Sequence, residues 1–195
     1  MIPELIIVAL LLGWMLGGKP GRLADAPIKW IWLLAVPVAL YFIAFGISRT
    51  PSLAVKFAWS YGAFHIAAKA VLLVFVYANR RIPGAKIVLV GMVLNFIAIV
   101  ANGGLMPADP SSVVTAFGPE KYEQIVKEPH FQSSIGGNDY NVKILCDFIP
   151  SNRLFLLIPG VYSIGDMFIS LGIVIAMISI IRTPLLKETP AAQEA

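Results

Sequence analysis

From Ser163 to Arg182 the chain spells out a helix long and apolar enough to cross a membrane, with its start and stop signals attached. Ser163 followed three residues later by Asp166 has the spacing of a capping box, in which a hydroxyl and a carboxylate each satisfy a backbone N–H of the first turn. Ile169 to Ile181 then carries no charge. Arg182 offers a cation to the C-terminal dipole and to a headgroup layer, and Pro184 cannot continue the helix. About 18 residues lie between these signals, roughly 27 Å of helix, or nearly one hydrocarbon thickness. Composition agrees: of 195 residues only 13% are charged and 58% are hydrophobic, where a soluble domain carries about 25% charged residues.

Four more runs have the length and character to span, at 2–18, 28–47, 53–78 and 87–103. The expected fold class is therefore an all-α integral membrane protein, one domain built as a five-helix transmembrane bundle. Pro37 should kink the second run, since it removes one hydrogen bond inside an apolar stretch. The first residues, Met-Ile-Pro-Glu-Leu, carry Glu4 where a cleavable signal would carry bases, so the first run is expected to be retained.

Sorting the bases by connection gives an orientation. Lys19, Arg22 and Lys29 fall in the first connection, Arg80, Arg81 and Lys86 in the third, and Arg182 and Lys187 beyond the last run, against Arg49 and Lys56 in the second. The odd connections read as cytoplasmic, which places the N-terminus outside, the C-terminus inside and the long segment 104–159 outside. The same clustering at the ends of apolar runs accounts for the net charge of +4 without nucleic acid as a partner. Segment 104–159 is too long for a mere connection and should be partly folded. Asp109-Pro110 and Gly118-Pro119-Glu120 each resemble a cap followed by proline at the first helical position, predicting short helices at 110–117 and 119–127. Ile135 to Tyr140 is turn chemistry, Val142 to Phe148 an extended or helical piece, Leu154 to Ile158 an apolar run suited to the membrane surface, and 188–195 a disordered tail.

Polar residues inside the runs need explaining. Ala58, Gly62, His65 and Lys69 step by four, three and four along one helix face, and so do Gly91, Asn95, Ala98 and Asn102. The last run presents Asp166, Ser170 and Met177 comparably. Small and polar seams are what helix packing in a bilayer uses, so packing is one complete reading of all three. Gly13 with Gly17, and Gly172 with Ala176, are read as packing only. Lys69 is different, because a lysine near mid-bilayer costs about 2.5–3.5 kcal/mol. Helical side chains lean toward their N-terminus, which aims this one at the midplane and the bundle interior. Asp166 is its evident partner, yet on upright helices the two stand roughly 15 Å apart in height, too far for an ion pair. His65 one turn away is read as titrating, shuttling a proton or donating to a carbonyl. Asn102-Gly103-Gly104 has the form of a left-handed cap.

Two histidines and a single cysteine, Cys146, argue against a histidine-rich metal site, an internal disulfide or a cysteine-based redox motif, so neither metal nor cofactor is expected. No nucleophile elbow, zinc-protease helix or phosphate-binding loop is present.

Asn102-Gly103-Gly104-Leu105-Met106-Pro107, Leu145-Cys146-Asp147-Phe148-Ile149-Pro150 and Pro159-Gly160-Val161-Tyr162-Ser163-Ile164-Gly165-Asp166 carry a resemblance, with Leu12-Gly13-Trp14 and Leu16-Gly17-Gly18 nearer the start. On these the chain resembles a bacterial multi-pass membrane family catalogued as a domain of unknown function. The resemblance implies a bacterial inner membrane, with the Asn-Gly-Gly and Ser-Ile-Gly-Asp pieces together on the outer face, flanking a pocket closed over by Asp147 and Pro150. It implies no activity.

The candidate binding residues are His65, Lys69, Asn95, Asn102, Asp147, Ser163 and Asp166. They suit a non-enzymatic module whose outer segment covers a polar crevice for a lipid, small molecule or partner membrane subunit. The rival reading is a membrane-embedded enzyme or carrier acting on a lipid-linked or anionic substrate through Lys69 and His65. A vitamin-type transporter subunit fits the size but needs another span.

Overall fold

A computed structural model describes residues 2–57, 60–127, 133–135, 140–152 and 159–183. The chain is mostly helical. Its first helix, α1 (Ile2–Met15), stops short of the expected 2–18 because Gly17 takes a left-handed turn at φ +83°. Gly18 N–H then bonds the Gly13 carbonyl at 2.9 Å and Gly17 N–H bonds that of Trp14 at 2.9 Å, the paired closure of a glycine-capped helix. Gly17 is therefore a cap rather than the packing residue its spacing suggests, whereas Gly13 abuts Ile178 and Ile181.

The expected run 28–47 is a single-turn 3-10 helix at Ile31–Leu34 followed by α2 (Ala35–Ser48). Instead of a mid-helix kink, the pitch changes at Leu34 and leaves Pro37 in the first turn of α2, where its missing N–H costs least. The expected run 53–78 is broken. α3 (Pro51–Lys56) begins at its proline and ends at Phe57, and α4 (Ser60–Ala78) starts anew. The break leaves Lys56 exposed with its ammonium 5.7 Å over the Phe57 ring, while both the N–H and the hydroxyl of Ser60 bond the Phe57 carbonyl. Ala58 of the expected seam lies outside the described residues.

The fourth run forms α5 (Ala85–Ala101), entered through Gly84 and closed by Asn102, Gly103 and Gly104. Gly104 N–H reaches back to the Ile99 carbonyl at 2.8 Å, with φ of +67° and +95° at Gly103 and Gly104, as the expected cap requires. Among the described residues three helices have the length and apolarity to cross a membrane: Ile31–Ser48, Ser60–Ala78 and Ile164–Arg182. Glu4–Met15 and Ala85–Ala101 are apolar but shorter.

Segment 104–159 corrects the all-α expectation. Strand β1 (Met106–Ala108) pairs in parallel with β2 (Ser133–Ile135), and β3 (Ile149–Ser151) pairs antiparallel with β4 (Gly160–Tyr162). Pro107 and Pro150 disfavour helix at these places and tolerate a short edge strand. Between β1 and β2 stand α6 (Pro110–Phe117) and α7 (Pro119–Lys127), with the bounds expected from their caps. Asp109 Oδ2 accepts from Ser112 N–H at 2.9 Å to start α6. Val142 to Phe148 is a 3-10 turn at Lys143–Leu145 leading into an isolated parallel bridge between Asp147 and Ala108. The expectations for 136–139, 154–158 and 188–195 lie outside the described residues.

The last helix, α8 (Ile164–Arg182), packs against α5 and α1, while α4 packs against α5 and α2. α5 and α8 run antiparallel with their backbones in close approach. A Cβ on Gly91 would strike the Gly165 carbonyl, one on Gly84 that of Gly172, and one on Gly172 the Val88 side chain. At the other seam, α4 meets the end of α5 where Gly62 lies on the backbone of Gly103 and Gly104. A small core of Ala98, Ile99, Met106 and Cys146, with Ile66, Tyr140 and Leu145 against it, joins segment 104–159 to α5 and α4.

At the opposite end, Arg22 Nη1 donates to the Ile181 and Arg182 carbonyls, both at 3.2 Å, closing α8 with a cation. The buried Asn79 side chain bonds both the N–H and the carbonyl of Lys29 at 2.8 and 3.0 Å, tying the first connection to the end of α4. Nothing in the spacing of Asn79 announces that role.

Candidate functional site

The helix start at Ser163 is fully buried and fully wired. Asp166 N–H donates to Ser163 Oγ and Ser163 N–H donates to Asp166 Oδ2, each at 3.0 Å, which completes the capping box. Asn95 of α5 joins it from the neighbouring helix. Its Nδ2 donates to Asp166 Oδ1 at 2.8 Å, and its Oδ1 accepts the Ser163 hydroxyl at 2.8 Å. Both carboxylate oxygens of Asp166 are thereby engaged.

Lys69 projects from α4 toward this cluster. The charges of Asp166 and Asp147 both reach it, from α8 and from the segment after α5 respectively. The acids act on Lys69 through charge alone, with no hydrogen bond from its ammonium among the described residues. Three elements thus converge on one amine. As the offset of upright helices implied, Lys69 and Asp166 form no direct ion pair; α4 begins only at Ser60, and Lys69 falls about 13.5 Å from that start.

Asp147 is held by backbone bonds. Its N–H donates to the Pro107 carbonyl at 3.0 Å and its carbonyl accepts from Asp109 N–H at 2.8 Å. Those bonds hold Asp147 in place, with its Oδ1 buried and without a hydrogen-bond partner among the described residues. Burial, reinforced by the Asp166 charge and opposed by Lys69, pushes its pKa up to about 8. At neutral pH this carboxyl is chiefly protonated.

His65 is 4% exposed and donates from Nδ1 to the Gly104 carbonyl at 2.7 Å, since a carbonyl only accepts. The Tyr41 ring of α2 lies tilted against it at 6.3 Å between centroids. Tyr41 is a contact that sequence reading missed, although a phenol inside an apolar run was its available signal. His65 therefore fastens α4 to the cap of α5. Asn102 fastens the following segment. Its Nδ2 donates to the Ala98 and Asn141 carbonyls at 2.8 and 3.1 Å, its Oδ1 accepts Asn141 N–H at 2.8 Å, and Asn141 Nδ2 returns a bond to Ala101 at 2.8 Å. Asn141 was also missed, since nothing local marks it as that partner. Cys146 is buried beside Asn102, its thiol pushed up by burial, and sits there as packing.

The expected site residues so divide into two groups. Asn95, Ser163, Asp166, Lys69 and Asp147 share one polar locus, while His65 and Asn102 build the seam beside it. An open groove of about 550 Å³ lined by Ile175, Ile178, Ser179, Arg182 and Thr183 lies at the far end of α8 and includes none of them. Among the described residues no group of three or more His, Cys, Asp or Glu is placed to hold a metal ion.

No curated protein and no solved structure matches the chain significantly. A family model described as a family of unknown function, DUF5317, matches residues 25–178, from the first connection to near the end of α8. With that match running through the α4, α5 and α8 seams and the segment that covers them, the chain belongs to the DUF5317 family.

Proposed function

We propose that this protein is a multi-pass inner-membrane protein of a bacterium, with five crossings and the N-terminus outside, and that it works as a non-enzymatic binding module. In this reading α1 and α5 cross with α2, α4 and α8, short helices being accommodated by local thinning of the bilayer. The base-rich connections support the orientation: Arg22 lies on the end of α8 and Lys29 on the end of α4, opposite to the segment that follows α5. The ligand is a lipid, a small molecule or a membrane partner held in a crevice between α4, α5 and α8 and covered by that segment.

The observation that carries the reading is Lys69. An amine in the middle of an apolar helix, in reach of the Asp166 carboxylate and the Asp147 carboxyl but hydrogen-bonded to neither, leaves an expensive charge without a contact partner among the described residues. Residues that enzymes use elsewhere are here committed to the scaffold, with His65 on the Gly104 carbonyl and Asp166 in its capping box. Native mass spectrometry of protein extracted gently from membranes tests this. Retained mass that disappears in Lys69→Met is the expected result; a bare monomer from both proteins is the outcome that defeats the binding reading.

A further inference from the structure

Two side chains at the polar locus keep hydrogen-bonding capacity. Asn95 is used at both ends of its amide, and Asp166 accepts on both oxygens. What remains is the Lys69 ammonium, which can only donate, and the Asp147 carboxyl, whose Oδ1 is buried and unpartnered. We propose that the ligand of this site is a singly charged oxyanion, a phosphate or carboxylate monoanion, held between Lys69 and Asp147, and that Asp147 must carry a proton for it to bind.

This inference rests on the binding reading and narrows it. A cation at the locus would sit beside the lysine ammonium. A neutral molecule would leave that ammonium without a counter-ion in contact, since Asp166 is already shared with two donors at the start of α8. The groups facing Asp147 are Lys69 from α4 and Asp166 from α8, with Cys146 beside it and Asp109, bonded to its carbonyl, turned to Ser112. α5 contributes only the neutral Asn95 at the locus. Protonated, Asp147 is a second donor to the oxyanion. Ionised, it repels the oxyanion and takes its place as the counter-ion of Lys69. With Asp147 pushed up to about 8, that exchange falls within an accessible pH range.

The test is titration calorimetry on the full chain in two arms. Dimethyl phosphate and acetate, both monoanions from pH 7 to pH 9, are added in neutral detergent, and phosphatidylglycerol is offered in phosphatidylcholine nanodiscs, so that a soluble anion and a lipid headgroup are told apart. Saturable binding in one arm is expected, weaker by about tenfold at pH 9 than at pH 7, with close to one proton taken up per ligand at pH 9 as judged from buffers of different ionisation enthalpy. Asp147→Asn keeps a donor and should bind equally at both pH values, whereas Lys69→Met should lose at least tenfold in affinity. Binding that is equally tight at pH 7 and pH 9 in the unmodified protein overturns the proton requirement, and no saturable binding in either arm overturns the oxyanion. A neutral or zwitterionic molecule retained by the unmodified protein and lost in Lys69→Met would also overturn the oxyanion while leaving the binding reading intact.

Discussion

Asn95 of α5 and Asp166 of α8 stand 71 residues apart in sequence and 2.8 Å apart as donor and acceptor. That bond, with the Ser163 hydroxyl on the other end of the same amide, makes a local helix cap into a tertiary fastener. Asn95→Ala removes a donor from a carboxylate and an acceptor from a buried hydroxyl together. Leaving buried polar groups unpaired costs about 1–3 kcal/mol. Unfolding in a mixed-micelle titration should show a loss of that size, while Thr115→Ala on the exposed face of α6 should stay within about 0.5 kcal/mol. Equal effects from the two substitutions would mean that the bond adds nothing across the seam.

Close approach of backbone decides a second case. A Cβ on Gly62 would overlap the Gly103 carbonyl, which cannot rotate away as a side chain can, and it would also displace the Gly104 carbonyl that His65 binds. Gly62→Ala should therefore destabilise by about 1–3 kcal/mol, the usual cost of overpacking. Gly46 in α2 has open space where its Cβ would be, and its replacement by Ala should stabilise by up to about 1 kcal/mol from helix propensity. Opposite signs at two helical glycines, read by the same unfolding assay, are the expected result, and a neutral Gly62→Ala would refute the contact.

What could be read from the sequence was local. The Ser163 and Asp166 box, the bounds of α6 and α7, and the glycine cap after α5 all depend on residues within a turn of one another, where spacing and backbone chemistry suffice. The four-three-four steps also gave the correct faces for Asn95 and Gly62. Illegible was everything set by how one element is shifted against another. Asn95 as third member of the capping box needs the height of α5 against α8. The reach of Lys69 to Asp166 needs the break at Phe57 that starts α4 late, and the arrival of Asp147 needs a one-residue bridge to Ala108. Strands of three residues with a proline inside, as at β1 and β3, leave no periodicity to detect.

Cys146 reports whether the segment after α5 stays closed. Its side chain is fully buried, with Asn102 Nδ2 at 3.7 Å from Sγ, and burial raises the thiol further from its reactive thiolate form. Asn102→Ala removes the bonds to Asn141 that tie this segment down. Maleimide labelling at pH 7.5 should be slow in the unmodified protein and at least about tenfold faster in Asn102→Ala, since a loss of 1.4 kcal/mol in closing free energy is one decade in opening. Identical labelling rates would show that Asn102 does not control access.

Asp147 imposes a pH dependence on stability whose sign is fixed. Its carboxyl is raised from 3.8 to about 8 in the folded protein, chiefly by burial, so between those values the folded state holds a proton that the unfolded chain has released. Stability from this group is fully present below about pH 4, declines by at most about 1.4 kcal/mol per unit as pH rises, and levels off above pH 8. Asp147→Asn cannot ionise and removes the slope. Unfolding curves at pH 5, 6, 7, 8 and 9 should therefore show the variant gaining on the unmodified protein up to about pH 8 and holding a constant lead beyond it. Lys69 works against the trend, because an ionised Asp147 beside it is partly compensated, so Lys69→Met should steepen the decline of the unmodified protein at the upper end. Parallel curves for the unmodified protein and Asp147→Asn across the whole range would mean that the Asp147 carboxyl has the same affinity for its proton folded and unfolded, and that it is not buried.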